Sequence, residues 1–308
     1  MLLQIKTCFC SLLSVLQHFL YSGLHRLLPS VVSAKPWSRH NRSPPTDFSG
    51  ITTLYRQFPH DPYAGLAVVG VGLTGVVFKV DEERVVKKAK IYPLENLTES
   101  DCFNTQYMND INRSTLVHEI QIYKRLGYHK GVISCTCFSE YGIELVFAKQ
   151  GDLERYIKAS PEPRCSFKVD WILSLTKTLS YVHSRRVFLD EVALRNILVV
   201  EDQLKLADFG QSILLPITAD VNTICENDLT ARIEILHLGW IIYSIAVWRA
   251  HKYYFFDPEN LHWPKPQALP ETGKLFCGRI IEKCWRGEYA SMDALNEDAH
   301  FLLQGLGS

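Results

Sequence analysis

Arg195-Asn196-Ile197-Leu198, followed ten residues later by Asp208-Phe209-Gly210, is the stretch on which the reading of this chain turns. By itself Asp-Phe-Gly is an ordinary turn sequence. Here it closes an ordered series. That series begins with Gly70-Val71-Gly72-Leu73-Thr74-Gly75-Val76-Val77, continues through Val85-Val86-Lys87, and reaches Glu119 inside a helical pattern. Gly70, Gly72 and Gly75 lie between two β-rich runs, 66–69 and 76–80, so backbone N–H groups can approach a phosphate where a Cβ would obstruct. A dinucleotide-binding fold uses a similar glycine spacing but needs a helix directly after it. Val76-Val77-Phe78-Lys79-Val80 is strand-forming instead, and that fold is set aside.

Working outward, a third β-rich run covers 84–88. Adjacent lysines on a strand point to opposite faces, and only Lys87 shares its parity with Val77 and Val85 in the expected inward pattern. Residues 95–112 are polar and read as a loop. Residues 115–126 have helical periodicity and stop at Gly127. Strands are expected around 132–138 and 143–147, and helices at 152–159 and 170–184, with Asp170 as N-cap. A hairpin turns at Glu201-Asp202-Gln203 between 197–200 and 204–206. A long apolar helix covers 230–249, a loop 258–270, and two helices 274–284 and 291–304. Strands first and helices afterward make an α+β arrangement.

The chain has 308 residues, 47% of them hydrophobic, which suffices for a large core. Lys and Arg number 33 against 33 Asp and Glu, so no net charge draws it to nucleic acid. Nine cysteines, an odd number without paired C-x-x-C spacing, read as reduced thiols of an intracellular protein rather than a zinc site. Sequons begin at Asn41, Asn96 and Asn112 and are too common by chance to argue for secretion.

Residues 1–46 differ from the rest. They carry Lys6, Arg26, Lys35, Arg39 and Arg42, and no acid precedes Asp47. Leu13, Leu16, Leu20, Leu24 and Leu27 recur at helical spacing. Gln17, His18, His25 and Arg26 interrupt the apolar run, which argues against a spanning helix. An acid-free amphipathic segment suits a mitochondrial presequence or an interfacial anchor, with membrane contact through residues 8–28; an extension with one helix is the plain alternative. The body of the chain reads as cytoplasmic.

On these motifs the chain resembles the protein-kinase superfamily from about Tyr63 to Gln304. Within it, Glu119-Ile120-Gln121-Ile122-Tyr123 and Lys283-Cys284-Trp285-Arg286-Gly287 are similar to small, divergent kinase-like proteins of filamentous fungi. The resemblance implies a bilobal α+β fold: an extension at 1–46, an N-lobe and hinge at 47–150, and a C-lobe at 151–308. It also implies ATP and Mg²⁺ between the lobes. Gly70, Gly72 and Gly75 would cover the phosphates, and Lys87, held by Glu119, would neutralise them. Leu145 would be the gatekeeper, and 146–148, with Val146 and Ala148, the hinge. Val77, Val85 and Leu198 would enclose adenine, Asp152 would meet the ribose, and Asn196 and Asp208 would hold the metal.

The departures are in the catalytic loop. The family pattern is His-Arg-Asp, with an Asn five residues after the Asp. Counting back from Asn196 puts Leu189 at the His and Glu191 at the catalytic Asp, while Asp190 falls one place early. Glu234 stands where the family has a buried Asp that holds this loop. No Ala-Pro-Glu occurs between Gly210 and Glu234, and Thr218 and Thr223 are candidate phosphosites there. The expected activity is weak or specialised transfer of the ATP γ-phosphate to a Ser, Thr or Tyr hydroxyl of an unidentified protein. Catalysis would use Glu191 or Asp190 with Asn196 and Lys87. A nucleotide-binding pseudokinase serving as scaffold or switch is the alternative, and a small-molecule kinase the second.

Overall fold

Alternating apolar residues near the start of the described chain build an antiparallel sheet; the computed structural model describes residues 61–256 and 262–305. The expectations placed on residues 1–46 lie outside these. The chain divides into two units. One holds the described residues up to Ile120 together with Cys135–Phe147, and the other holds Gln121–Ser134 and the chain from Ala148 onward. The first is built on a sheet and the second on helices, an α+β fold.

The sheet runs β1-β2-β3-β5-β4, from β1 (Val68–Val71), β2 (Gly75–Lys79), β3 (Arg84–Ala89), β4 (Cys135–Phe138) and β5 (Ile143–Val146). Pairing of Val77 with Lys87 and of Val85 with Leu145 puts these four on one face. Val76, Phe78 and Val86 take the other, where they form a buried cluster with Val68. Tyr63 and Leu66 pack on that cluster from the segment before β1. The Tyr63 hydroxyl donates to Glu144, and Lys88 forms an ion pair with Asp61. Strand formation at Leu66 is therefore not observed: the strand begins at Val68, and Leu66 belongs to the covering strap.

The largest correction concerns residues 95–112. They are helical: α1 is Glu99–Leu126. Thr98 caps it, its Oγ1 accepting from the Asp101 N–H at 3.2 Å and donating to the Asp101 carboxylate at 2.6 Å. The polar residues that suggested a loop have backbone partners. Asn109 exchanges two hydrogen bonds with the Tyr92 main chain, at 2.8 and 2.9 Å, and Asn112 donates to the Lys90 carbonyl at 2.7 Å. Both asparagines are buried. Gly127, with φ 63°, ends the helix as expected.

In the second unit, α2 (Leu153–Ala159) is followed by α3 (Cys165–Ser184), which starts five residues before the expected Asp170 N-cap. Arg164 occupies the cap position and makes no side-chain cap bond. The first turn is held instead by tertiary packing, Phe167 lying on Trp171 and Trp171 on Trp248. Glu201 and Asp202, both at positive φ, turn the hairpin of β7 (Ile197–Val200) and β8 (Gln203–Leu206). β6 (Val187–Phe188) pairs with β9 (Ile213–Leu214). Thr230 caps α4 (Ala231–Ala246), and Ser291 caps α6 (Met292–Leu303). The helix expected at 274–284 is displaced to α5, Gly278–Arg286, ended by Gly287 at φ 66°.

Two predictions test this arrangement. A Cβ at Gly142 would lie 2.4 Å from the Lys87 carbonyl oxygen, against backbone that cannot swing aside. Gly142→Ala is expected to lower stability by about 1–3 kcal/mol in urea titrations, through overpacking. His237 is buried and accepts from the Phe255 N–H at 3.0 Å; burial pulls its pKa from 6.5 down to about 3. The unfolded chain takes up a proton below pH 6.5 that the folded state refuses, so this part of the stability is complete above 6.5 and is lost as the pH falls toward 3. Denaturation midpoints measured across that range should fall with acid, and less steeply in His237→Gln, which keeps the acceptor.

Candidate functional site

In the sheet unit the glycines form the β1–β2 turn, closed by a hydrogen bond from the Gly72 N–H to the Gly75 carbonyl at 2.8 Å. The turn is strand-turn-strand, with Gly70 paired to Val77. A Cβ on Gly75 would sit 3.1 Å from Lys87 Cε, so the turn passes directly over the Lys87 stem. Lys87 Nζ lies 2.7 Å from Glu119 Oε2, and the Glu119 side chain is only 1% exposed. The neighbouring lysine, Lys88, is also buried but points to the opposite face and Asp61. Strand parity thus assigns each lysine a separate carboxylate. Val85 and Leu145 are buried beside this pair, and Val146 is paired with Arg84 on β3.

In the helical unit the chain from Ala148 turns at Gly151, whose N–H bonds to the Ala148 carbonyl at 3.0 Å, and Asp152 then bridges to Leu198. The Asp152 carboxylate is the N-cap of α2, accepting from the Arg155 N–H at 2.9 Å and pairing with the Arg155 side chain at 3.3 Å. That local role was absent from the sequence reading of this residue.

The loop after β6 is held from below. Glu234, on α4 and fully buried, accepts from the Leu189 N–H at 2.8 Å with one oxygen, while the other is 2.9 Å from His183 Nε2. Leu189 itself is buried, so a packing side chain fills the position where the family pattern has His. Farther along, Asn196 donates to the Glu191 carbonyl at 3.2 Å, which fixes the register between the two. The Glu191 carboxylate forms an ion pair with Arg195, four residues on. Asp190 is half-buried beside it.

Asn196 ends a short 3₁₀ turn, Leu194–Asn196, and its carbonyl accepts from the Ala207 N–H at 2.9 Å. This bond brings Asn196 next to Asp208 along the backbone. Asp208 is exposed with φ 62°, a left-handed conformation that a non-glycine residue takes at a cost of about 1–2 kcal/mol. What compensates is Phe209, fully buried with its ring edge-on to Tyr123 at 5.2 Å. The stretch from Gly210 to α4 is short but packed. Leu215, Val221 and Leu229 join Phe188 and Ile233 in one buried cluster, and Thr218 and Thr223 are exposed.

Two residues here were missed in the sequence. Arg195 stood inside the quoted motif, and its spacing of four from Glu191 was the available signal. His183 had none, because its partner is 51 residues away. Among the described residues no cluster of three or more His, Cys, Asp or Glu side chains could hold a metal, so any cation here relies on few protein oxygens.

The family model described as a protein kinase domain matches residues 63–231, more than half of the chain. The match covers the glycine turn, Lys87, Glu119, Glu191, Asn196 and Asp208 and ends before Glu234. Over 262 residues the chain is 23% identical to Mitogen-activated protein kinase kinase kinase 12 of Rattus norvegicus, covering 74% of this chain and 26% of that protein. The chain therefore corresponds to about a quarter of that relative's length.

The geometry around Glu234 makes a direct prediction. Glu234→Ala leaves the Leu189 N–H and the His183 imidazole buried without their acceptor, and about 2–4 kcal/mol of stability should be lost in urea unfolding. Glu234→Asp should retain part of it.

Proposed function

Since this chain belongs to the protein-kinase family, we propose that it binds ATP with Mg²⁺ and transfers the γ-phosphate slowly to a hydroxyl of a protein substrate. The observation that carries the reading is the Lys87–Glu119 pair at 2.7 Å. Taking a lysine and a glutamate out of water costs several kcal/mol per ion, and a hydrophobic pair would serve stability as well or better. A charged pair placed under a glycine turn has instead the chemistry to meet phosphate.

The metal reading rests on the donor set. Asp208 offers an exposed carboxylate, and Asn196 is an amide tied by its carbonyl to the residue before Asp208. Mg²⁺ keeps several waters and substrate oxygens, so one or two protein oxygens fit it. When bound, it would supply charge neutralisation between the β- and γ-phosphates. Lys87 would orient and neutralise the phosphates from the sheet, and Gly70, Gly72 and Gly75 would let backbone N–H groups approach them. Glu191 would accept the proton of the attacking hydroxyl.

Slow transfer follows from Glu191. Its extra methylene moves the carboxylate by roughly one bond length relative to an Asp, and errors on the order of 1 Å can lower rates by about 10²-fold. Arg195 also competes for the same carboxylate. These two features equally favour the second reading, a nucleotide-binding scaffold without turnover.

Thermal-shift titration with Mg-ATP, alongside radiolabelled phosphate transfer, separates the readings. At a hundredfold excess over Kd the wild type should gain about 2.7 kcal/mol, and Lys87→Ala should lose most of that gain. Glu191→Asp should raise turnover, and Asp190→Ala should change it little. A shift without turnover in wild type or Glu191→Asp, above the Lys87→Ala control, selects the scaffold. No shift at all overturns both.

A further inference from the structure

Helix α1 carries an apolar stripe on the face turned away from its core. Phe103 is 74% exposed, Tyr107 39% and Val117 55%, and Asp110 and Ser114 fall on the same face between them. At 100° per residue all five lie within about 80° of arc. The opposite face is buried through Thr105, Met108, Asn109, Asn112 and Glu119, so the stripe is not a frayed end but the outer side of a fixed helix. The surroundings are acidic: residues 94–117 contain Glu95, Glu99, Asp101 and Asp110 against Arg113 alone.

We propose that this stripe is the docking surface for the chain's own leading segment, residues 13–27. Three properties match. Leu13, Leu16, Leu20, Leu24 and Leu27 repeat at helical spacing, so a helix there would present one continuous apolar ladder. The ladder and the stripe are the same length, fifteen residues each, or about 21 Å from first to last at the helical rise. Their charges are complementary, because no acid precedes Asp47 while Arg26 lies in the ladder and Lys35, Arg39 and Arg42 follow it within fifteen residues.

The tether also suits an intramolecular contact. Asp61 is fixed on the sheet of the same unit by Lys88. The 33 residues between Leu27 and Asp61 are a tether short enough to give a local concentration near the millimolar range. A second copy of α1 is a poorer occupant, since its acids would face acids. An anionic membrane would be repelled by the same charges. Docking would brace the helix that carries Glu119, two residues beyond Val117 on the buried side. The proposal does not depend on nucleotide binding or on phosphate transfer.

The test uses the full-length chain with a benzophenone-bearing residue in place of Phe103, irradiated alone and with anionic lipid vesicles. The expected product is a monomeric, intrachain cross-link to the tryptic peptide of residues 7–26. Its yield should exceed by about tenfold that from the same probe at Phe301, which is 83% exposed on α6, as the local-concentration argument requires. High salt should lower the yield, and replacing Leu16, Leu20 and Leu24 by Ser should abolish it. Cross-links between two chains, capture of lipid, equal yield from position 301, or no peptide product from 103 would each overturn the proposal.

Discussion

A carboxylate taken out of water must be met by donors, and three such carboxylates organise this molecule. Asp61 meets Lys88 on one face of the sheet, Glu119 meets Lys87 on the other, and Glu234 lies between His183 and the Leu189 amide. None of these pairings is free to slide. Shifting β3 by one residue would exchange the faces of Lys87 and Lys88, and one of the two acids would then face Val86 or Ala89 instead of a lysine. The desolvation penalty therefore acts as a register lock, stronger than the apolar pattern alone, because a misplaced charge costs more than a misplaced methyl group.

In the helical unit the same constraint fixes the loop that bears Glu191. Glu234 grips it at Leu189, and Asn196 grips it at the Glu191 carbonyl, so the six residues between 189 and 196 are held at both ends. Within that frame the Glu191 carboxylate pairs with Arg195. The backbone is thus well defined while the chemistry at its centre departs from the family pattern. Asp208 shows the complementary case, an exposed acid in a left-handed conformation made tolerable by the buried Phe209 behind it.

Much of this was legible in the sequence. The spacing of glycines before a strand selected a strand-turn-strand over a strand-turn-helix, and period-two alternation put Lys87 and Lys88 on opposite faces, with Lys87 on the side of Glu119. Local patterns failed where the decisive partner was remote. Asn109 and Asn112 resemble loop formers until their bonds to the Tyr92 and Lys90 main chain are seen. Asp170 looked like a cap, but aromatic packing of Phe167 and Trp171 extends α3 past it. Arg195 pairs with Glu191 at a spacing of four across a loop that enters a 3₁₀ turn, where no helical pattern points to it.

The burial of Asn112 has a consequence for biosynthesis. Asn112-Arg113-Ser114 is an acceptor sequence for N-linked glycan while the chain is still unfolded. In the folded protein that asparagine is 1% exposed, and its amide nitrogen is bound to the Lys90 carbonyl. A bulky, hydrated sugar on the same nitrogen would remove that bond and force α1 away from the segment that follows β3. Folding of the sheet unit and modification at this sequon exclude one another, so a chain that acquired the glycan during synthesis would be diverted from this fold before Lys87 and Glu119 could meet.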